Sequence, residues 1–413
     1  MENQQAELLK SWVQVPKQSD FTIYNLPFGI FRNKRLSARV GIAIGDKIVD
    51  LSALQEEGFL QDIKLEEGVF LQDSLNPFIA LGKSTTRKVR ERVQQLLNEN
   101  NPDLKDHQSR GRIMVGLKEA EMMIPIKIGD CTAFENPSDP LVASYLGSSS
   151  TSGCFVPFES QRKVSTIISS GTPFHRPKGQ ISTLDKASYE FGASRQLDFE
   201  LELAYVVGKS SKLGDSISAA DAEDYIFGIL LFNDWTARDI QGQSPFLFSK
   251  SSKSFASSIS YWVVTLDALE PFRTSLPGQE GDLIPYLQTK RDDGFDIRLE
   301  AYLKPEKGTE NLLCQTNSRH AYWSAAQLLA QQTVNGSNIE LGDLVASGTV
   351  SNPDEGHYSS MAELLNVGRI TTEDGGNREF VQDGDTVSVR GYCEKGGIRV
   401  GFGEVVTKVL PSK

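Results

Sequence analysis

The most informative stretch of the chain runs from Leu197 to Gly208 and reads LDFELELAYVVG. Apolar residues alternate with the others and two valines continue the run, which predicts a β-strand. The alternation places Glu200 and Glu202 on one face of that strand, about 7 Å apart along the backbone. Neighbouring carboxylates repel each other, which chains tolerate where a cation lies between them or one of them keeps a proton. The pair indicates either a site for a hard metal ion or the solvated outer face of an edge strand.

Composition limits the class of protein. The 413 residues, 39% hydrophobic and 23% charged, predict a globular protein of two or three domains with a substantial core. A net charge of -11 argues against a nucleic-acid partner. The four cysteines include no CxxC pair and are too few for a disulfide framework. Because the amino terminus lacks a signal-peptide core and no run of 18 apolar residues occurs, we expect a cytoplasmic protein without a membrane partner.

The chain divides by pattern into a small first part and a larger second part. Residues 39–51 predict a β-hairpin turning at Gly45-Asp46, and residues 85–99 predict an amphipathic helix. We place the domain boundary so that residues 1–122 form a small β-rich domain and residues 123–413 a larger one. Strands in the second part are not separated by regular helices, which argues against a doubly wound sheet. No nucleotide-binding glycine motif occurs.

A polar segment follows a continuous apolar run in the second part. Residues 233–241 read NDWTARDIQ directly after the buried-strand pattern of residues 226–232. Charged and amide groups in that position are costly unless they have partners, so the segment is either a site or a solvated loop. Lys253 follows in another polar segment. Most lysines are exposed, but one beside carboxylates would keep its charge and could polarise a carbonyl or stabilise an enolate.

With these motifs the chain resembles the fumarylacetoacetase (fumarylacetoacetate hydrolase) family. The resemblance covers nearly the whole chain, from the amino-terminal NLPFGIF and GIAIGD segments to the terminal VGFG. The matching segments of the second part are LDFELE (197–202), NDWTARDIQ (233–241), KSF (253–255), VNG (334–336), LGDLVASGT (341–349), SMAEL (360–364) and VGFG (400–403). The ordered set of motifs is highly specific for the family.

The resemblance implies a fold and a chemistry. It implies a mainly β protein with a few helices (α+β): a small SH3-like β-barrel domain followed by a β-roll catalytic domain, as a homodimer. It also implies Mg²⁺ or Ca²⁺ held by carboxylates, and a small-molecule β-diketo acid as substrate. In hydrolytic members of the family, a His–Glu pair activates the water that breaks a carbon–carbon bond.

The resemblance also implies roles for individual residues. Three carboxylates would ligate the metal: Glu200, Glu202 and Asp234. Three side chains would hold and polarise the substrate: Arg238, Gln241 and Lys253. Ser257 stands where the family has a threonine near the metal, and Glu363 would be the acid of the His–Glu pair.

The chain departs from the family around residues 128–140. Aligned on Ile128-Gly129-Asp130, Ala133 replaces a metal-ligand aspartate and Pro140 replaces the catalytic histidine. The metal would therefore bind weakly or be lost, and two replacements stay open. Glu135 either supplies the missing carboxylate or lies at the surface. His357, six residues before Glu363, either approaches the site as a replacement base or is an ordinary loop histidine.

Three functional hypotheses follow. Loss of a general base costs about 10²–10⁴-fold in rate, so the main prediction is metal-assisted enolate chemistry on a β-keto acid or 1,3-dicarbonyl. It would form or cyclise carbon–carbon bonds in specialised metabolism, as in natural product biosynthesis. The alternative is a carbon–carbon bond hydrolase with a replacement base. The third is a non-catalytic scaffold, against which the retained charged residues argue, because buried unpaired charges are costly.

Overall fold

A computed structural model describes residues 8–135, 157–182, 188–241, 250–277, 283–352, 356–368 and 378–413. The chain forms two compact units. The first comprises Met1–Lys127, Tyr261–Phe272 and Tyr392–Gly403, and the second comprises Ile128–Ser260, Arg273–Gly391 and Glu404–Lys413. The predicted domain ranges, 1–122 and 123–413, stay a prediction. The predicted fold class, mainly β with a few helices, is confirmed.

Both units contain β-strands. They are β1 (Phe28–Arg32), β2 (Arg39–Ile44), β3 (Lys47–Asp50), β4 (Met114–Gly116), β5 (Glu121–Met123), β6 (Cys131–Glu135), β7 (Phe158–Gln161), β8 (Ile167–Ser169), β9 (Phe174–His175), β10 (Lys178–Ser182), β11 (Tyr189–Ala193), β12 (Leu197–Asp198), β13 (Leu201–Val207), β14 (Ile226–Asp234), β15 (Thr236–Ala237), β16 (Ser257–Ile259), β17 (Val264–Thr265), β18 (Arg273–Thr274), β19 (Gly294–Phe295), β20 (Arg298–Lys304), β21 (Asn311–Asn317), β22 (Leu344–Ala346), β23 (Thr386–Lys395) and β24 (Ile398–Leu410).

Most of the helices are short. They are α1 (Leu51–Glu56), α2 (Asn76–Ile79), α3 (Lys83–Leu97), α4 (Pro102–Lys105), α5 (Arg110–Ile113), α6 (Ala219–Ala222), α7 (Arg238–Gln241), α8 (Lys250–Lys253), α9 (Leu266–Leu269), α10 (Ala325–Thr333) and α11 (Met361–Asn366). Within the described ranges, none of them combines the length and the apolar character that crossing a membrane requires.

The first unit holds a five-stranded antiparallel sheet in the order β4-β3-β2-β1-β5. The predicted hairpin is present as β2 and β3, and Gly45 turns between them with φ of 54°, a backbone conformation that glycine adopts without steric cost. The predicted amphipathic helix is α3. It buries its apolar stripe, which includes Val89, Val93 and Leu96, and its observed bounds differ from the prediction by two residues at each end.

The second unit is built on a mixed sheet in the order β7-β6-β22-β13-β14-β16-β8. Its centre is the antiparallel pair β13 and β14, in which every residue is buried. β6 joins β22 in parallel and is followed at the edge by antiparallel β7. This arrangement brings the ends of β6, β13 and β14 into one buried region of the second unit.

The stretch predicted as one strand is two strands. β12 pairs with β15, whereas β13 pairs with β14 and β22. The break falls at residues 199 and 200, where side chains replace the sheet hydrogen bonds: the Phe199 amide donates to Asp198 Oδ1 at 2.9 Å and the Glu200 amide donates to Asn233 Oδ1 at 3.2 Å. The edge-strand interpretation of the acidic pair was wrong, because Glu200 and Glu202 are 3% and 1% exposed.

Candidate active site

Three buried carboxylates meet where β13 and β14 come together. Glu202 lies in β13, Glu200 precedes it at the strand break, and Asp234 ends β14. One oxygen atom from each lies within 4.8 Å of the others. We call these three residues the carboxylate triad. The sequence predicts these three residues as metal ligands. The pairing of neighbouring backbone segments brings them together, because the Asp234 amide donates to the Glu200 carbonyl at 3.3 Å.

Lys253, at the end of α8, lies between two members of the triad. Its ammonium donates to Glu200 Oε2 and, at 3.1 Å, to Asp234 Oδ2. Burial alone would lower the pKa of Lys253, but the two carboxylates hold it above its usual value. The ammonium therefore stays charged inside the site, as the sequence predicted for a lysine beside carboxylates.

Arg238 continues the chain of charges on the other side of Glu200. Its guanidinium lies 2.8 Å from a Glu200 oxygen and 3.0 Å from an Asp198 oxygen. Asp198 also accepts the backbone amides of Met361 at 2.8 Å and Ala362 at 3.1 Å, which begin α11. Arg238 is thus held between two carboxylates of the protein itself.

Arg162 completes the series on the far side of Asp234. It lies just after β7, 2.7 Å from Asp234 Oδ2 and 3.9 Å from a Glu135 oxygen. The result is a buried line of alternating charges, here called the charge ladder. Its members, in spatial order, are Asp198, Arg238, Glu200, Lys253, Asp234, Arg162 and Glu135.

Glu202 stands beside the ladder and differs from its triad neighbours. Its carboxylate accepts the Gly348 backbone amide at 3.0 Å. Burial, and then the charges of Asp234 and Glu200, raise its pKa well above the usual value. By contrast, Lys253 and Arg238 lower the pKa of Glu200, and Arg162 and Lys253 lower that of Asp234, in each case against the effect of burial. Negative charge at the triad is therefore incompletely balanced.

The triad fits a divalent cation. Together, the charge ladder and Glu202 comprise five carboxylates and three cationic side chains, which leaves two negative charges when all are ionised. A divalent cation carries the charge that would balance them, and hard cations prefer carboxylate oxygens. Its ligands would be Glu200, Glu202 and Asp234. A bound cation would also remove the repulsion that raises the pKa of Glu202.

Ser257 and Glu363 occupy different parts of this region. Ser257, in β16, donates its hydroxyl to Asp234 Oδ1 at 3.0 Å and so contacts the triad directly. Glu363, in α11, is 1% exposed, and its carboxylate accepts the Ser359 backbone amide at 2.6 Å. The Ser359 carbonyl in turn accepts the Leu201 amide, so the Ser359 backbone connects the Glu363 carboxylate to the start of β13.

The two predicted replacement residues have specific partners. Glu135 is buried in β6 beside Arg162, so the surface interpretation of this residue was wrong. His357 Nδ1 lies 3.0 Å from His320 Nε2, and His320 Nδ1 lies 3.2 Å from the Asn352 amide nitrogen. His357 thus belongs to a histidine pair, and its role as a base stays a prediction.

Two predicted positions cannot be placed. Pro140 lies outside the described residues, and the side chain of Gln241 is likewise not described although its backbone ends α7. Ala133 is buried in β6 and offers no ligand atom. Arg162 and Asp198 were not predicted as site residues from the sequence. For Asp198 a signal was present, because Asp198, Glu200 and Glu202 are spaced two residues apart, but Arg162 is connected to the site only through tertiary structure.

Comparison with known proteins agrees with the motifs. Residues 156–410 match the family model described as fumarylacetoacetate (FAA) hydrolase C-terminal, and residues 24–125 match fumarylacetoacetase N-terminal. The chain belongs to the fumarylacetoacetase family. Fumarylacetoacetase of Caenorhabditis elegans is 40% identical over 422 residues, covering 98% of this chain and 100% of that protein. Fumarylacetoacetase of Arabidopsis thaliana is 38% identical over 429 residues, covering 98% and 99% respectively.

A solved structure supports the fold. The structure of Cg1458 with inhibitor covers 94% of this chain and 100% of that chain, with a TM-score of 0.52 and 14% sequence identity. At this identity the likeness concerns the fold alone.

The comparisons correct the main functional prediction. Carbon–carbon bond formation or cyclisation in specialised metabolism was wrong, because the relatives that match over nearly the whole chain are fumarylacetoacetases and the matching family is a hydrolase family. The protein is an enzyme that acts on carbon–carbon bonds, in a family that depends on a divalent metal. The homodimer and the cytoplasmic location stay predictions.

Proposed function

We propose that this protein is a carbon–carbon bond hydrolase that cleaves fumarylacetoacetate or a closely related 1,3-diketo acid with the help of Mg²⁺ or Ca²⁺. The observation that carries the proposal is the buried carboxylate triad with Lys253 beside it, in a chain 40% identical to a fumarylacetoacetase over 98% of its length. Such a site can stabilise the negative charge that develops on a dicarbonyl oxygen.

The triad and Lys253 would act on the dicarbonyl group. A divalent cation held by Glu200, Glu202 and Asp234 would polarise the two oxygens of the 1,3-diketone. Lys253 keeps its proton because two carboxylates raise its pKa, so its ammonium offers hydrogen bonds to an oxygen that gains charge. Ser257 and Arg162 hold Asp234 from opposite sides, which keeps that carboxylate oriented.

We propose that Glu363 moves the protons of the reaction. It accepts a proton from water as the water oxygen bonds to one carbonyl carbon. The carbon–carbon bond then breaks, its electron pair remains on the departing enolate, and a proton returned to that carbon completes the ketone. One water is consumed and two carboxylic acids result. The burial of Glu363 and its hydrogen bond from the Ser359 amide support this role, because they fix one oxygen and hold the carboxylate in one orientation.

Glu135 and His357 are the alternative bases. Glu135 is buried beside Arg162, whose Nη2 lies 3.9 Å from one of its oxygens. His357 is paired with His320 and stands two residues before Ser359, the residue that holds Glu363. Separate Glu135→Gln and His357→Asn variants, each assayed at saturating Mg²⁺, distinguish the candidates: the variant of the true base loses turnover while substrate affinity is kept.

The test is product analysis with metal-loaded protein and fumarylacetoacetate, followed by NMR. We expect one fumarate and one acetoacetate per substrate, loss of turnover after chelation, and recovery on adding Mg²⁺ or Ca²⁺. Glu363→Gln should bind substrate without cleaving it. If the metal-loaded wild-type protein binds fumarylacetoacetate and releases no fumarate, the proposed reaction is wrong.

A further inference from the structure

Arg162 lies on the same sheet face as Ala133. Ser160 pairs with Ala133 across β6 and β7, and the Arg162 amide donates to the Cys131 carbonyl at 2.8 Å. Side chains two residues apart share a face of a strand, so Cys131, Ala133 and Glu135 face the same way, together with Ser160 and Arg162. Ala133 presents only a methyl group there, and the long Arg162 side chain reaches past it to the triad.

The Arg162 guanidinium is bound on one side to the triad. Its Nε and Nη2 atoms lie 2.9 Å and 2.7 Å from Asp234 Oδ2, the same oxygen that Lys253 contacts at 3.1 Å. The other oxygen, Oδ1, accepts the Ser257 hydroxyl at 3.0 Å. Each Asp234 oxygen therefore already has a protein donor, and one of them receives two cationic side chains.

The charges give this arrangement a consequence for metal binding. When all the groups are ionised, the charge ladder and Glu202 carry two uncompensated negative charges with Arg162 and would carry three without it. Because interactions between charges are strong in a buried region, a fixed cation on Asp234 repels a second cation that binds the same carboxylate. The ion pair of Arg162 with Asp234 also gives each of these two buried charges a partner, and a buried charge without a partner is costly.

We propose that Arg162 is a built-in counter-cation of the metal site. It holds Asp234 in position in the metal-free protein, and it weakens the binding of a divalent cation by repulsion. Glu135 acts through Arg162, because its carboxylate lies 3.9 Å from Nη2, the nitrogen that also contacts Asp234, and offsets part of the guanidinium charge. The inference rests on the metal site of the proposed function, and it is independent of the substrate and of the reaction.

The test is calorimetric titration of chelator-treated protein with Mg²⁺ alone. Arg162→Gln should bind Mg²⁺ at least about tenfold more tightly than wild type, and Arg162→Lys, which keeps the charge, should stay near wild type. Glu135→Gln should change the affinity in the opposite direction and weaken Mg²⁺ binding. The matched control is Arg176→Gln, since Arg176 is a half-buried arginine of the same unit that contacts Asp383 and backbone carbonyls instead of the ladder.

Stability supplies a second readout that does not depend on turnover. In chelator, Arg162→Gln should unfold at a lower temperature than wild type, and saturating Mg²⁺ should raise its unfolding temperature by more than it raises that of wild type. If Arg162→Gln does not fold in chelator, two other measurements test the inference. One is whether this variant refolds when Mg²⁺ is added, and the other is the Mg²⁺ affinity of Glu135→Gln. Unchanged or weaker Mg²⁺ affinity in Arg162→Gln, or unchanged affinity in Glu135→Gln, would overturn the inference. If the Mg²⁺ affinities of the variants are as expected but the wild-type protein does not cleave fumarylacetoacetate, only the proposed reaction is wrong.

Discussion

The two units bury arginine in different ways. In the first unit, Arg90 of α3 is 7% exposed and donates to the carbonyls of Asn25, at 3.1 Å, and Tyr24. In the second, Arg162 is 6% exposed and lies between the carboxylates of Asp234 and Glu135. Burial lowers the pKa of Arg90, whereas for Arg162 the carboxylates outweigh burial and raise it.

The difference is one of role: the charge of Arg90 serves the structure, whereas the charge of Arg162 belongs to the candidate active site. Neutral backbone carbonyls accept hydrogen bonds from Arg90. Carboxylates join Arg162 to a ladder in which each charged side chain contacts the next, and the triad within this region carries excess negative charge when all its groups are ionised. A region of this kind can take up a cation and stabilise charge in a reacting molecule. The following predictions test that contrast.

The largest effect is expected at Lys253. Lys253→Met leaves Glu200 and Asp234 without their shared cation, and breaking such a buried pair costs about 3–5 kcal/mol. We expect this loss in the free energy of unfolding, measured by urea denaturation in chelator, together with loss of turnover. The matched control is Lys290→Met, because Lys290 pairs with Asp221 at the surface. An equal loss of unfolding free energy in both variants would mean that the charge ladder contributes no more to stability than a surface ion pair does.

The next effect concerns turnover more than stability. Glu363→Gln removes a proton-transfer group, which should lower kcat by about 10²–10⁴-fold. The glutamine carbonyl can still accept the Ser359 amide, so the urea midpoint should stay near that of wild type. Glu340→Gln changes an exposed acid in the same unit and should leave both quantities unchanged. A stable Glu363→Gln variant with wild-type kcat would remove Glu363 from the mechanism.

Arg90 tests the structural side of the contrast. Arg90→Met leaves the Asn25 and Tyr24 carbonyls without their donor, which costs about 1–3 kcal/mol in the free energy of unfolding. Calorimetric Mg²⁺ affinity should equal that of wild type, because no carboxylate of the triad depends on this arginine. A shift in Mg²⁺ affinity like that expected for Arg162→Gln would erase the distinction between the two buried arginines.

The smallest effect is expected at a helix cap in the first unit. Asp50 caps α1 by accepting the Ser52 and Ala53 amides at 3.0 and 3.1 Å, and it pairs with Arg39 at 3.0 Å. Asp50→Ala should cost about 0.5–2 kcal/mol by chemical denaturation, and Asp50→Asn, which keeps the cap but loses the charge, should cost less. If both cost the same, the ion pair rather than the cap carries the stability.

Local patterns predicted much of the fold. Alternation and a Gly45 turn predicted the β2–β3 hairpin, and the apolar spacing of α3 predicted that helix, because side-chain periodicity decides which face of an element is buried. The break at residues 199 and 200 could not be predicted in this way. It depends on the Asn233 side chain, which reaches the Glu200 amide from the neighbouring strand.

The functional site shows the same division. The sequence by itself determined which residues form the triad and that Lys253 accompanies them, because the family motifs place these residue types in a fixed order along the chain. Only the tertiary structure decided that Glu135 is buried and that Arg162, 72 residues before Asp234, contacts it. The physical reason is that the charge state of a buried carboxylate depends on its neighbours in space, and strand pairing, which sequence periodicity does not record, decides those neighbours.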